Sequence, residues 1–115
     1  MRNVGWNNRG NALFNLGRLD EAIASFDKVL QLKPDVHGAW YNRGVALGNL
    51  GRFEEAISSY DKALQLKPDV HGAWFNRGVA LGNLGRFEEA IASYDKALQL
   101  NSHLAPRKVD MRSDT

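Results

Sequence analysis

The chain has no cysteine among its 115 residues, which closes off disulfides, thiolate metal sites and cysteine nucleophiles and leaves packing to supply the folding energy. It also lacks any apolar run near the roughly 20 residues that span a bilayer. Its opening Met-Arg-Asn-Val-Gly-Trp has no apolar core of the secretory kind. A cytoplasmic protein without membrane partners is expected. Charge of one sign is missing as well: the net charge is +2, with bases scattered among acids along the chain. Binding a phosphate backbone requires a one-sided basic stripe, so nucleic acid is not an expected partner.

Catalytic equipment is absent in the same way. Gly44, Gly48 and Gly51 fall within or at the end of a helical pattern with no strand before them, which is not a phosphate-cradling loop. No serine or carboxylate pair stands beside a general base. His37 and His71 recur a unit apart, as duplication alone predicts, and do not make a metal ligand set. No enzyme activity, cofactor or metal is expected.

What the chain does have is repetition. Trp6, Trp40 and Trp74 are spaced by 34 residues, within Trp-Asn-Asn-Arg-Gly, Trp-Tyr-Asn-Arg-Gly and Trp-Phe-Asn-Arg-Gly. The units beginning at His37 and His71 are nearly identical, and the one beginning at Asn3 is more diverged. Each carries two apolar patterns of helical period, in the middle unit Trp40, Gly44, Leu47 and then Phe53, Ala56, Ile57, Tyr60, Leu64. Gly51 between them suits the left-handed residue that ends a helix, and Glu54 and Glu55 suit the start of the next. Pro34 and Pro68 cannot continue the preceding helix and close the unit.

These residues resemble the tetratricopeptide repeat family over residues 3 to 104. The middle unit supplies the family's tryptophan at Trp40, close-packing glycine at Gly44, turn glycine at Gly51, small residue at Ala56, aromatic at Tyr60, then Ala63 and Pro68. The wording is similar to bacterial members, cyanobacterial ones in particular. It departs from the pattern at Arg9, Arg43 and Arg77, where leucine is usual, at Leu47, where an aromatic is usual, and at Ser102, which replaces the third proline. The resemblance implies an all-α fold: a right-handed α-solenoid of three helix-turn-helix repeats. A single domain is expected at 3–104, with repeats at 3–36, 37–70 and 71–104, then a flexible tail at 105–115 rich in charge and carrying Pro106.

In a stack of helix pairs Trp40, Leu47, Ile57, Tyr60 and Leu64 are structural. The family's first helices line a concave groove, which here is expected to present Tyr41, Asn42, Val45 and Asn49, and one unit later Phe75, Asn76, Val79 and Asn83. Tyr41 and Phe75 read either as exposed interface anchors or as packing between repeats. Asn8, Asn42 and Asn76 form a possible amide array that grips a peptide backbone whatever its sequence. The lysines and arginine of family members that clamp a C-terminal carboxylate are replaced by Asn7, Gly72 and Asn76. Arg9, Arg43 and Arg77 recur together with Asp27, Asp61 and Asp95, which predicts structural ion pairs; read within one unit, Arg43 belongs with Asp61.

After Asn101 the sequence makes a poor capping helix, so Ile91, Tyr94 and Leu98 are expected to lie partly open and to drive self-association, as a dimer or an end-to-end array. Two readings of function follow: a scaffold that binds a peptide or partner protein in the groove, and a self-assembly module. A third is a fragment or short relative of a larger repeat-containing enzyme or regulator, against which the initial methionine weighs.

Overall fold

Three turns of one design set the architecture. The computed structural model describes residues 3–101, and Gly17, Gly51 and Gly85 all have φ of 78–79° there, the left-handed conformation that a side chain would strain. Around each, the same two bonds recur: Gly51 N–H donates to Gly48 C=O at 3.0 Å and Arg52 N–H to Leu47 C=O at 2.9 Å. This paired C-cap satisfies the carbonyls of one helix and reverses the chain into the next. Arg18, Arg52 and Arg86 then grip Glu21, Glu55 and Glu89 through both guanidinium edges, with distances between 2.7 and 2.9 Å.

The described residues form six helices: α1 (Asn3–Asn15), α2 (Leu19–Leu32), α3 (His37–Asn49), α4 (Phe53–Leu66), α5 (His71–Asn83) and α6 (Phe87–Asn101). Among the described residues there is no strand. The fold is an all-α solenoid of three helix pairs. Positions 102–104 of the third unit and the tail expected at 105–115 lie outside the described residues.

Between pairs the chain turns on proline. Lys33 and Lys67 are extended, as a residue before proline must be. The indole N–H of Trp40 donates to the carbonyl of Pro34 at 2.8 Å, and that of Trp74 to Pro68 at 2.9 Å. Trp40 and Trp74 thus tie α3 and α5 to the turns before them. Each is half-buried, packed at the edge of the core and not at its centre.

Within each pair an aromatic ring of the second helix lies flat against a glycine of the first. A Cβ added at Gly10, Gly44 or Gly78 would stand 2.6 Å from Cε1 of Phe26, Tyr60 or Tyr94 respectively. Between pairs, Ile23 packs with Ala46 and Leu47, Ile57 with Ala80 and Leu81, and Val29 and Leu30 with Ala39. The core is therefore a series of clusters, three of them shared between neighbouring pairs, which no single pair could bury alone.

The arginines that replace leucine are each held over their repeat's tryptophan ring, and Arg43 by three neighbours. Arg43 lies 5.9 Å from the Trp40 ring centre, donates to Ser59 Oγ at 2.7 Å, and pairs with Asp27 at 2.7 Å. Arg77 pairs with Asp61 at 2.7 Å. The ion pairs expected from the sequence exist, but they cross the repeat boundary: Arg43 reaches back to Asp27, not to Asp61 of its own unit. Arg9 bonds Ser25 Oγ at 2.6 Å.

Candidate functional site

The first helices make a continuous row: α1 touches α3 and α3 touches α5, whereas α2, α4 and α6 do not touch one another. A stack whose first helices are the closer set curves toward them, so α1, α3 and α5 form the concave side.

Two adjoining hollows open along this row. One, of about 270 Å³, is lined by Asn11, Phe14, Tyr41, Asn42, Val45 and Asn76. The other, of about 290 Å³, runs from Val45 and Asn49 past Phe53 and Tyr60 to Asn76, Val79 and Asn83. Val45 and Asn76 belong to both. The structure thus brings together Tyr41, Asn42, Val45, Asn49, Asn76, Val79 and Asn83, seven of the nine residues expected at the groove. Asn8 is exposed and lines neither hollow. Phe75 lies beyond them, its ring tilted against that of Tyr94 at 5.4 Å at the α6 end.

The amides are oriented by the scaffold. Asn42 Nδ2 donates to Asn11 Oδ1 at 3.1 Å, and Asn76 Nδ2 donates to Tyr41 Oη at 3.1 Å. Each bond crosses from one repeat to the one before, fixing the amide plane. Neither carbonyl oxygen has a hydrogen bond among the described residues. Asn83 is committed locally, donating to Val79 C=O at 2.9 Å. Tyr41 is half-buried, its ring 6.0 Å from Tyr60 and its hydroxyl against Gly72. Of the two readings of Tyr41, packing between repeats describes its position; Phe75 is the more exposed ring.

No charged residue lines either hollow. Burial, with Tyr41 adding to it and the Asn76 amide opposing, holds the Tyr60 phenol well above its usual pKa, so the groove floor stays neutral. What these groups can do is donate and accept single hydrogen bonds between apolar side chains, which suits a peptide backbone. Asn11, Phe14 and Phe53 were not among the expected site residues. Helical spacing held the signal for the first: Asn11 stands three residues after Asn8, at the position that Val45 and Val79 fill in later units.

A third hollow, of about 540 Å³, lies at the end of the stack between α5 and α6, lined by Phe75, Tyr94 and Leu98 among others. Ile91 and Leu98 are exposed as expected. Tyr94 is only partly open, because its ring seats on Gly78 of its own pair.

Known proteins share this architecture. The first tetratricopeptide domain of Spaghetti (RPAP3), solved bound to the HSP90 peptide SRMEEVD, is 30% identical, with a TM-score of 0.84 over 86% of this chain and 79% of that one. The second such domain, bound to the same peptide, is 25% identical, with a TM-score of 0.84 over 87% of this chain and 93% of that one. A crystal structure of MamA superposes with a TM-score of 0.87 at 24% identity, over 92% of this chain, which spans 62% of the MamA chain. No curated protein matches the sequence. The sequence profile of the tetratricopeptide repeat matches twice, over residues 7–70 and 41–105, and the chain belongs to the tetratricopeptide repeat family.

Proposed function

We propose that the protein is a non-enzymatic interaction scaffold whose concave groove holds an extended, uncharged peptide, either free or as a segment of a partner protein. The observation that carries this reading is the pair Asn42 and Asn76. Each is pinned through an N–H to the preceding repeat and retains a carbonyl oxygen for a ligand, while the Asn76 amide also bonds the Tyr60 phenol. A pre-oriented amide loses little freedom on binding, so its hydrogen bonds contribute more of their strength to affinity. Val45 and Val79 lie beside the amides along the same row and offer apolar contact to alternate ligand side chains.

Two related domains hold an HSP90 peptide, which supports a peptide as ligand. Their acidic peptide is not carried over, because the hollows here have neither lysine nor arginine. The test is a peptide selected from a random library against the intact protein, its affinity then measured by fluorescence anisotropy on Asn42→Ala/Asn76→Ala. Loss of two charge-assisted-free but oriented bonds is expected to weaken binding roughly tenfold, about 1.4 kcal/mol. Unchanged affinity in a folded variant contradicts the reading.

A further inference from the structure

The two ends of the stack are the two halves of an interface that the chain already builds twice within itself. On each second helix an isoleucine faces the following repeat: Ile23 and Ile57 are 7% and 6% exposed, whereas Ile91 is 58% exposed. Leu30 and Leu64 are buried, and Leu98 at the same position is exposed. Asp27 and Asp61 are each paired at 2.7 Å to an arginine of the following repeat. Asp95, their equivalent, is exposed and has no hydrogen bond or ion pair among the described residues.

α1 carries the complement. Arg9 is exposed, where Arg43 and Arg77 are partly buried against the acid of the preceding repeat. Ala12 is exposed, where Ala46 and Ala80 are buried.

We propose that a second copy of this chain docks its α1 on α6, in the register that α3 takes on α2 and α5 takes on α4, with Arg9 of one copy paired to Asp95 of the other. Charge selects this occupant: among the described residues, Asp95 at one end has no ion pair, and Arg9 at the other has none of the acid contacts that Arg43 and Arg77 make to the preceding repeat. Shape agrees, since Phe87, Ile91, Tyr94, Asp95 and Leu98 repeat the residues of Phe53, Ile57, Tyr60, Asp61 and Leu64, the surface that accepts α5. The contact is head-to-tail. It leaves an α1 and an α6 free on every assembly it does not close into a ring, so copies add in series. Each addition also lengthens the row of first helices, and with it the concave side.

The test is the solution mass of the full chain by light scattering over a concentration series. The wild type is expected to rise from 12.8 kDa at high dilution to at least twice that value. Asp95→Arg sets arginine against Arg9, and Arg9→Asp sets aspartate against Asp95; each alone is expected to stay monomeric. An equimolar mixture of the two regains association, because both interfaces between unlike variants pair an arginine with an aspartate, one as in the wild type and one with its signs exchanged. Asp95 has no hydrogen bond or ion pair among the described residues, so Asp95→Arg is expected to melt like the wild type, which keeps the test independent of folding. A wild type that remains monomeric at every concentration overturns the proposal and leaves the α6 face to residues 102–115 or to solvent. Association that survives Asp95→Arg unchanged, or a mixture that stays monomeric, overturns it as well.

Discussion

Arg43 belongs to the second repeat and its acid to the first: Nε of Arg43 donates to Oδ1 of Asp27 at 2.7 Å. The same step recurs at Arg77 and Asp61. An arginine in place of the family's leucine thus joins neighbouring repeats, and the Trp40 face beneath it shields the guanidinium on one side. With Asp27 44% exposed and Arg43 22% exposed, water screens much of the attraction.

A double-mutant cycle measures that step. Arg43→Leu combined with Asp27→Ala is expected to show a coupling of about 0.5–1 kcal/mol in urea melts, the upper part of the range for partly exposed pairs. Arg43→Leu combined with Asp61→Ala is expected to be additive. A larger coupling to Asp61 than to Asp27 would return the pairing to within a single unit.

Glycines on one helix face separate by what they touch. Gly44→Ala drives a methyl to 2.6 Å from the Tyr60 ring, and the ring must shift, costing about 1–3 kcal/mol. Gly82 has nothing within 4 Å of its would-be Cβ, so Gly82→Ala is expected to stabilise by up to about 1 kcal/mol through helix propensity. Thermal melts of the two variants should move in opposite directions; movement in the same direction contradicts the ring-on-glycine packing.

Tyr60 predicts an alkaline limit. Its folded pKa is raised by burial, so the folded state holds the proton more tightly than the unfolded chain, whose phenol titrates near 10. The stability from this site is complete below about pH 10 and is lost as pH rises past that value toward the folded pKa. Urea melts at pH 8 to 11 should show a steeper fall for the wild type than for Tyr60→Phe. Parallel curves would place the Tyr60 hydroxyl in water.

The acidic peptide SRMEEVD, held by the two RPAP3 domains, is expected to bind here no more tightly than its analogue with both glutamates and the aspartate changed to amides. Anisotropy at low salt checks this. A strong preference for the acidic form would mean that the groove carries positive charge the lining residues do not show.

Much of this was legible in the sequence. The 34-residue spacing of Trp6, Trp40 and Trp74 fixes six helices, and the glycine that must turn left-handed is named by its place between two apolar patterns. The groove face followed from family resemblance and helical period, and seven of its nine expected residues line the hollows. Three things were not legible. A 34-residue period places Asp27 and Asp61 at equivalent positions, so it cannot say which of them Arg43 meets; the offset between stacked pairs decides, and that is a tertiary quantity. The indole bond from Trp40 to Pro34 depends on how the turn carries a carbonyl back over the next helix. Asn8 missed the groove because its repeat has Asn7 where the others have Tyr41 and Phe75, while Asn11 replaces a valine and takes up the hydrogen bond from Asn42.

The most direct measurement is the map of backbone amide shifts when a library-selected uncharged peptide is titrated into the ¹⁵N-labelled protein. Binding in the groove predicts that perturbations concentrate on α1, α3 and α5, strongest at Asn42, Val45, Asn76 and Val79, with α2 nearly silent and α4 responding only around Phe53 and Tyr60, which line the hollow. Perturbations centred on α2 and α4, or confined to Ile91 and Leu98 on α6, would contradict it.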